Sequence, residues 1–115
     1  MNARGPITTH ILDVNRGKPA AGVAVNLELQ HGNDWKPVAH GKTDDDGRVE
    51  GLLPPGPLPH GIYRLTFATG EYFRSLSLET FYPYAVVVFE VKNPSEHYHV
   101  PLLLSGHGYS TYRGS

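Results

Sequence analysis

The 115 residues include no cysteine, so neither a disulfide framework nor a thiolate zinc site is open to this chain. There is no excess of charge of either sign: 10 Lys and Arg stand against 11 Asp and Glu, for a net charge of −1 with histidine neutral. Without a block of like charges, the electrostatic footprint of a nucleic-acid or membrane-surface binder is missing. No apolar run approaches the roughly 18 residues of a membrane span, and the opening "MNARGPITTHILDV" lacks the apolar stretch of a secretory signal. A soluble, cytoplasmic protein with no nucleic-acid and no membrane partner is expected. The serines form no G-x-S-x-G nucleophile elbow. What the chain does have is 13 glycines, 10 prolines, seven tyrosines and seven histidines, the make-up of many short strands joined by turns. At this length residues 1–115 form one domain.

Hydrophobic alternation locates the strands. Val23, Val25, Leu27 and Leu29 alternate with Ala24, Asn26, Glu28 and Gln30, and Tyr63, Leu65 and Phe67 alternate with Arg64, Thr66 and Ala68. Period two over such runs marks half-buried strands. "ITTHILDV", "WKPVAHGKT", "AVVVFEV", "HYHVPLLLS" and "YSTYR" are further strand candidates, separated by turn signals such as "NRGKPAAG", "HGND", "DDDG", "LPPGPLPHG" and "KNPSE". One helix is expected within "EYFRSLSLETFYP", where Tyr72 and Leu76 stand at i, i+4 and Pro83 closes it off. The pattern predicts an all-β protein, an antiparallel β-sandwich with one short α-helix. The strand "AVVVFEV" is apolar on both faces, and "HVPLLLS" carries His99, Pro101 and Leu103 opposite Val100, Leu102 and Leu104. Apolar outer faces of this kind predict an oligomer.

His97 and His99 share a strand face about 6.6 Å apart, and either suits a general base or, together, a metal chelate. Solvated histidines at a polar strand start are the plain alternative. His10 points away from Ile7 and Ile11, toward solvent or a partner. Arg48 follows the turn "TDDDG" and matters only if a surface closes over it, since a desolvated guanidinium binds carbonyls and oxyanions well. A calcium reading of "DDDG" fails: an EF-hand needs glutamate six residues after its glycine, and that position is Leu53. It is expected to be a hairpin turn. His31, His40, His60 and His107, each beside glycine, are taken as surface.

Several stretches together resemble the 5-hydroxyisourate hydrolase family, the transthyretin-related proteins of urate breakdown. They are "THILDVNRGKPAAGVAVNL", "TDDDGRVEGL", "GIYRLTF", "FYP", "HYHVPLLLS" and the terminal "YSTYRGS", in order and spanning nearly the whole chain. The resemblance implies a transthyretin-like sandwich of two four-stranded sheets, and a homotetramer built as a dimer of dimers with the sites at the dimer–dimer interface. It implies a cofactor-free and metal-free site made of His10, Arg48, His99 and Tyr112-Arg113-Gly114-Ser115, with His97 in support. In that site His99 and His10 would activate water, Arg48 would bind the ring carbonyls, and Tyr112, Arg113 and Gly114 would hold the planar substrate. Ser115 would bring a hydroxyl and a terminal carboxylate. A transthyretin-like carrier of small molecules, a metal-dependent hydrolase using His10, His97 and His99, and a structural β-sandwich module are the competing classes.

Overall fold

Two four-stranded sheets and one helix make up the chain in a computed structural model that describes residues 5–115. The elements follow in the order β1 (Ile7–Asp13), β2 (Lys18–Pro19), β3 (Ala24–His31), β4 (Asp34–Lys42), β5 (Gly61–Phe67), α1 (Thr69–Ser75), β6 (Ala85–Val91), β7 (Tyr98–Ser105) and β8 (Gly108–Thr111). One sheet runs β2-β1-β7-β8 and the other β4-β3-β5-β6. Ile7, Ile11, Val100, Leu102 and Leu104 of the first sheet are buried with Val25, Leu27, Tyr63, Leu65 and Phe67 of the second. The alternation seen in the sequence is the alternation of the core, because successive side chains of a strand leave on opposite faces.

Every described strand pairing is antiparallel except one: β1 and β7 run parallel, with Thr8 opposite His99 and His10 opposite Pro101. The antiparallel sandwich expected from the sequence is found, with this one parallel pair at the centre of a sheet. A parallel pair joins segments far apart in the chain, and no local pattern reports it. β2 was also hidden, since two residues inside the turn signal "NRGKPAAG" are too few to show a period. Pro37 sits on the edge strand β4 at a register shift where Leu27 faces Ala39 but Glu28 faces Pro37. An edge bulge is where a residue without an N–H is tolerated. His40 lies within β4, not in a turn, although its side chain is exposed.

The helix starts earlier and ends earlier than expected. It covers Thr69–Ser75, and Ser77, at φ 58°, takes the left-handed conformation that ends it. Pro83 has a different part: its carbonyl accepts the Gly70 N–H at 3.0 Å and lies so close that a side chain at Gly70 would strike it. The helix docks on β1 through Tyr72, whose hydroxyl donates to Asp13 Oδ2 at 2.7 Å; the Arg16 backbone N–H donates to Asp13 Oδ1 at 3.2 Å. Asp13 is fully buried and Tyr72 nearly so. Burial first, then the hydrogen bond to Asp13, raises the Tyr72 hydroxyl above its ordinary pKa of 10.0. A raised value in the folded state means stability complete below pH 10 and lost as pH rises past it. Tyr72→Phe is expected to lower stability at neutral pH by about 1–3 kcal/mol, measured by urea denaturation, and to soften the alkaline loss.

Candidate active site

The turn after β4 is organised by Asp44. Its carboxylate accepts the backbone N–H groups of Asp46 (2.9 Å) and Arg48 (3.1 Å), and its carbonyl accepts that of Gly47 (2.9 Å). Acidic residues here serve turn geometry, as expected, but the turn does not close a hairpin. It carries the chain from one sheet to the other. β2 pairs only with Leu12 and Asp13 of β1, which leaves the next stretch of that edge open. The turn occupies it: Ile11 N–H donates to Gly47 O at 2.8 Å, and Arg48 bridges to His10 in antiparallel sense. Arg48 is thereby set beside β1 with its side chain exposed.

The C-terminal segment reaches the same region from the other side. Residues 108–111 pair with 105–102 of β7. Pro101 has no N–H to offer Tyr112, the residue that this register places opposite it, and the strand stops. The Thr111 hydroxyl donates to Pro101 O at 2.7 Å instead. The same register resumes at Gly114, whose N–H donates to His99 O at 2.8 Å. A Cβ on Gly114 would lie 2.5 Å from His99 Cδ2 and 3.2 Å from Pro101 Cγ, so only glycine fits against the imidazole.

His99 is gripped on its other side by Thr8. Thr8 Oγ1 lies 2.8 Å from His99 Nδ1 and 3.0 Å from His97 Nε2. The parallel β1–β7 register, Thr8 against His99, creates this contact. Nδ1 thus faces the threonine and Cδ2 faces the glycine.

A cleft of about 1060 Å³ opens here, lined by Thr8, Arg48, His99, Tyr112, Gly114 and Ser115, with the segments 49–51 and 53–55 as its far wall. Five of the residues singled out in the sequence thus meet in one cavity. His10 is half-buried and reaches the site through its backbone bridge to Arg48, without lining the cleft. His97 stands behind His99, against Thr8. Arg113 turns away: its Nη2 donates to Glu96 Oε1 at 3.1 Å and to His97 O at 3.4 Å, and its guanidinium carbon lies 4.5 Å from the Tyr98 ring centroid. In this arrangement Arg113 is a latch for the C-terminal segment and not a wall of the cleft. Thr8 is the residue that sequence reasoning passed over, although its place on the same strand face as His10 was visible. Among the described residues, no group of three His, Asp or Glu side chains is placed to hold a metal ion.

Fold and cleft together define a small two-sheet sandwich protein whose polar pocket is built at strand ends from histidine, threonine and arginine. The chain belongs to the HIUase/Transthyretin family, whose model matches residues 7–114. It is 51% identical over 109 residues to the 5-hydroxyisourate hydrolase of Salmonella dublin, covering 95% of this chain and 80% of that one. It is 42% identical over 112 residues to the 5-hydroxyisourate hydrolase of Mus musculus, covering 96% and 95%. Among solved structures it is similar to Klebsiella pneumoniae 5-hydroxyisourate hydrolase, with a TM-score of 0.82 at 37% identity over 95% of this chain and 98% of that one. Sea bream transthyretin in complex with thyroxine superposes with a TM-score of 0.88 at 33% identity, covering 95% and 94%. Backbone likeness embraces enzyme and hormone-binding protein alike, and the higher sequence identities are to hydrolases.

Proposed function

We infer that the chain is an enzyme that hydrolyses 5-hydroxyisourate in urate degradation. The identities to named hydrolases support the activity. The observation that carries the mechanism is the convergence of His99 and Arg48 on one cleft. Water attacks C6 of the six-membered ring as His99 Nε2 takes its proton. The C6 oxygen gains negative charge, which Arg48 offsets. Collapse breaks the C6–N1 bond, N1 receives the proton back from His99 as the end of the ureido group, and C6 stays on C5 as the carboxyl group of 2-oxo-4-hydroxy-4-carboxy-5-ureidoimidazoline. His10 sets the Arg48 backbone in place through the strand bridge. Tyr112 and Ser115 line the cleft where the flat substrate would lie.

The direct test is decay of 5-hydroxyisourate, generated from urate by urate oxidase and followed by ultraviolet absorbance. Acceleration well above the spontaneous rate is expected. A rate equal to the blank from folded protein would leave the carrier reading, and thyroxine-like ligands would be the next probe. Gly114→Ala should lower kcat about 10–100-fold by displacing the His99 ring, while the melting temperature stays nearly unchanged. Equal kcat in wild type and variant would show that this contact does not set the ring.

The same proposal includes the homotetramer. Val88, on the edge strand β6, is 57% exposed, and Phe81 is 71% exposed. Tyr82, just before β6, meets Tyr109 of β8 edge-to-face with ring centroids 5.3 Å apart, so the free edges of both sheets lie close together and offer unpaired backbone to a second copy. A partner closing over the cleft would desolvate Arg48. Val88→Lys should shift sedimentation to smaller species; an unaltered profile would exclude this strand from the interface. Among the described residues no helix is long and apolar enough to cross a membrane. A cytoplasmic location is part of the proposal and is read by fractionation of cells making the untagged chain.

A further inference from the structure

Thr8 presents one hydroxyl to two imidazoles, at 2.8 Å from His99 Nδ1 and 3.0 Å from His97 Nε2. A hydroxyl has one hydrogen to donate and lone pairs to accept with. If it donates to His99 Nδ1, the proton of neutral His99 sits on Nε2, which then cannot take a proton from water. If it accepts from His99 Nδ1–H, Nε2 carries the lone pair that a general base requires. In that second arrangement its own hydrogen is available to His97 Nε2, and a bond donated there requires the proton of neutral His97 on Nδ1. The threonine hydroxyl therefore ties the protonation of one ring to that of the other.

We propose that Thr8 is a positioning residue for catalysis: it holds His99 in the tautomer whose Nε2 is basic and passes a proton between His99 and His97. The inference rests on the reading of His99 as the base. When Nε2 takes the proton of the attacking water, His99 becomes an imidazolium. Its Nδ1 proton then moves to Thr8 Oγ1 as the threonine's own hydrogen moves to His97 Nε2. One proton is transferred in all, no bond to carbon changes, and the threonine ends as a neutral hydroxyl. His99 is left neutral with a proton on Nε2. His97 holds the charge until collapse, when the transfer reverses: its Nε2 proton returns to Thr8 Oγ1 as the threonine's hydrogen returns to His99 Nδ1, and His99 Nε2 gives its proton to the departing N1. Hydrogen-bonded partners of this kind set the orientation and tautomer of an imidazole, and their loss commonly costs 10–100-fold in activity.

The test compares wild type with Thr8→Val, which keeps the shape and removes the hydroxyl, and Thr8→Ser, which keeps the hydroxyl. Steady-state hydrolysis of 5-hydroxyisourate should show kcat down about 10–100-fold in Thr8→Val, with KM within about twofold, and kcat largely retained in Thr8→Ser. In a His99→Gln background, adding Thr8→Val should change kcat by less than about twofold, because the threonine acts through that ring. If Thr8 touched substrate directly, the loss would persist in the double variant and the relay would be wrong. Nitrogen-15 NMR of labelled imidazoles supplies a readout independent of turnover. His99 should be protonated on Nδ1 in wild type and in Thr8→Ser, and should shift toward Nε2 protonation in Thr8→Val. The same tautomer in all three proteins would overturn the proposal even if Thr8→Val folds poorly. Full activity in His99→Gln would remove the base assignment itself. An inactive His99→Gln beside a fully active Thr8→Val would remove the relay alone.

Discussion

His99→Gln is expected to lower kcat for 5-hydroxyisourate by about 10²–10⁴-fold, the range over which a positioned general base accelerates proton transfer. Glutamine keeps a polar side chain of similar reach but cannot take up a proton at neutral pH, so the loss reports basicity. The structure makes the comparison clean. His99 is half-buried at the start of β7, and the core beneath it is built by the opposite strand face through Val100, Leu102 and Leu104. The melting temperature should therefore move little. Arg48→Ala should lower kcat about 10²–10³-fold by removing the cation that meets the developing oxyanion. Groups that act on one transition state are not additive, so the double variant should fall less than the product of the two. A raised KM alone, with kcat intact, would show His99 to be a binding residue and would remove its assignment as the base.

Gly47→Ala should be the most damaging single change outside the buried core, because one position joins the turn, β1 and Arg48. Gly47 has φ 77°, and a Cβ there would strike Ile11 O and lie 3.1 Å from Pro19 Cβ and 3.3 Å from Ala20 N. Its carbonyl also accepts the Ile11 N–H. An alanine forced into the left-handed region, in a turn pushed off its strand, should cost about 2–4 kcal/mol and lower the melting temperature by about 10 °C. Activity should fall with it, since Arg48 is the next residue. Gly17→Ala provides the control: φ is 66°, but nothing lies within 4 Å of the added Cβ. It should lose only the conformational part, about 1 kcal/mol. Equal melting points for the two variants would mean that the packing of the turn against β1 contributes nothing.

Much of the site was visible in the sequence for a physical reason. Strand parity is local, so Ile7 and Ile11 against His10, and Val100, Leu102 and Leu104 against His99, could be sorted without knowing any partner. The same logic marked Val88 as an apolar residue on an outer face, and it is exposed. The helix shows the limit. Tyr72 and Leu76 do stand one turn apart, but the start at Thr69 depends on Gly70 packing under Pro83, and the end on Ser77 adopting a left-handed turn. Arg113 was placed in the cleft by resemblance, yet its guanidinium is taken up by Glu96 and the Tyr98 ring, a choice that composition does not record.

By itself the sequence determined an all-β sandwich, the inner and outer faces of several long strands, and the family. These follow from patterns that extend over a few residues, or from blocks of residues kept in order. Only the tertiary structure decided which strands became neighbours. The parallel meeting of β1 and β7 brings Thr8 to His97 and His99 across some ninety positions, and the docking of the Asp44 turn on β1 sets Arg48 beside His10. Contacts of that range depend on how two sheets close over one core, and no period in the chain encodes them.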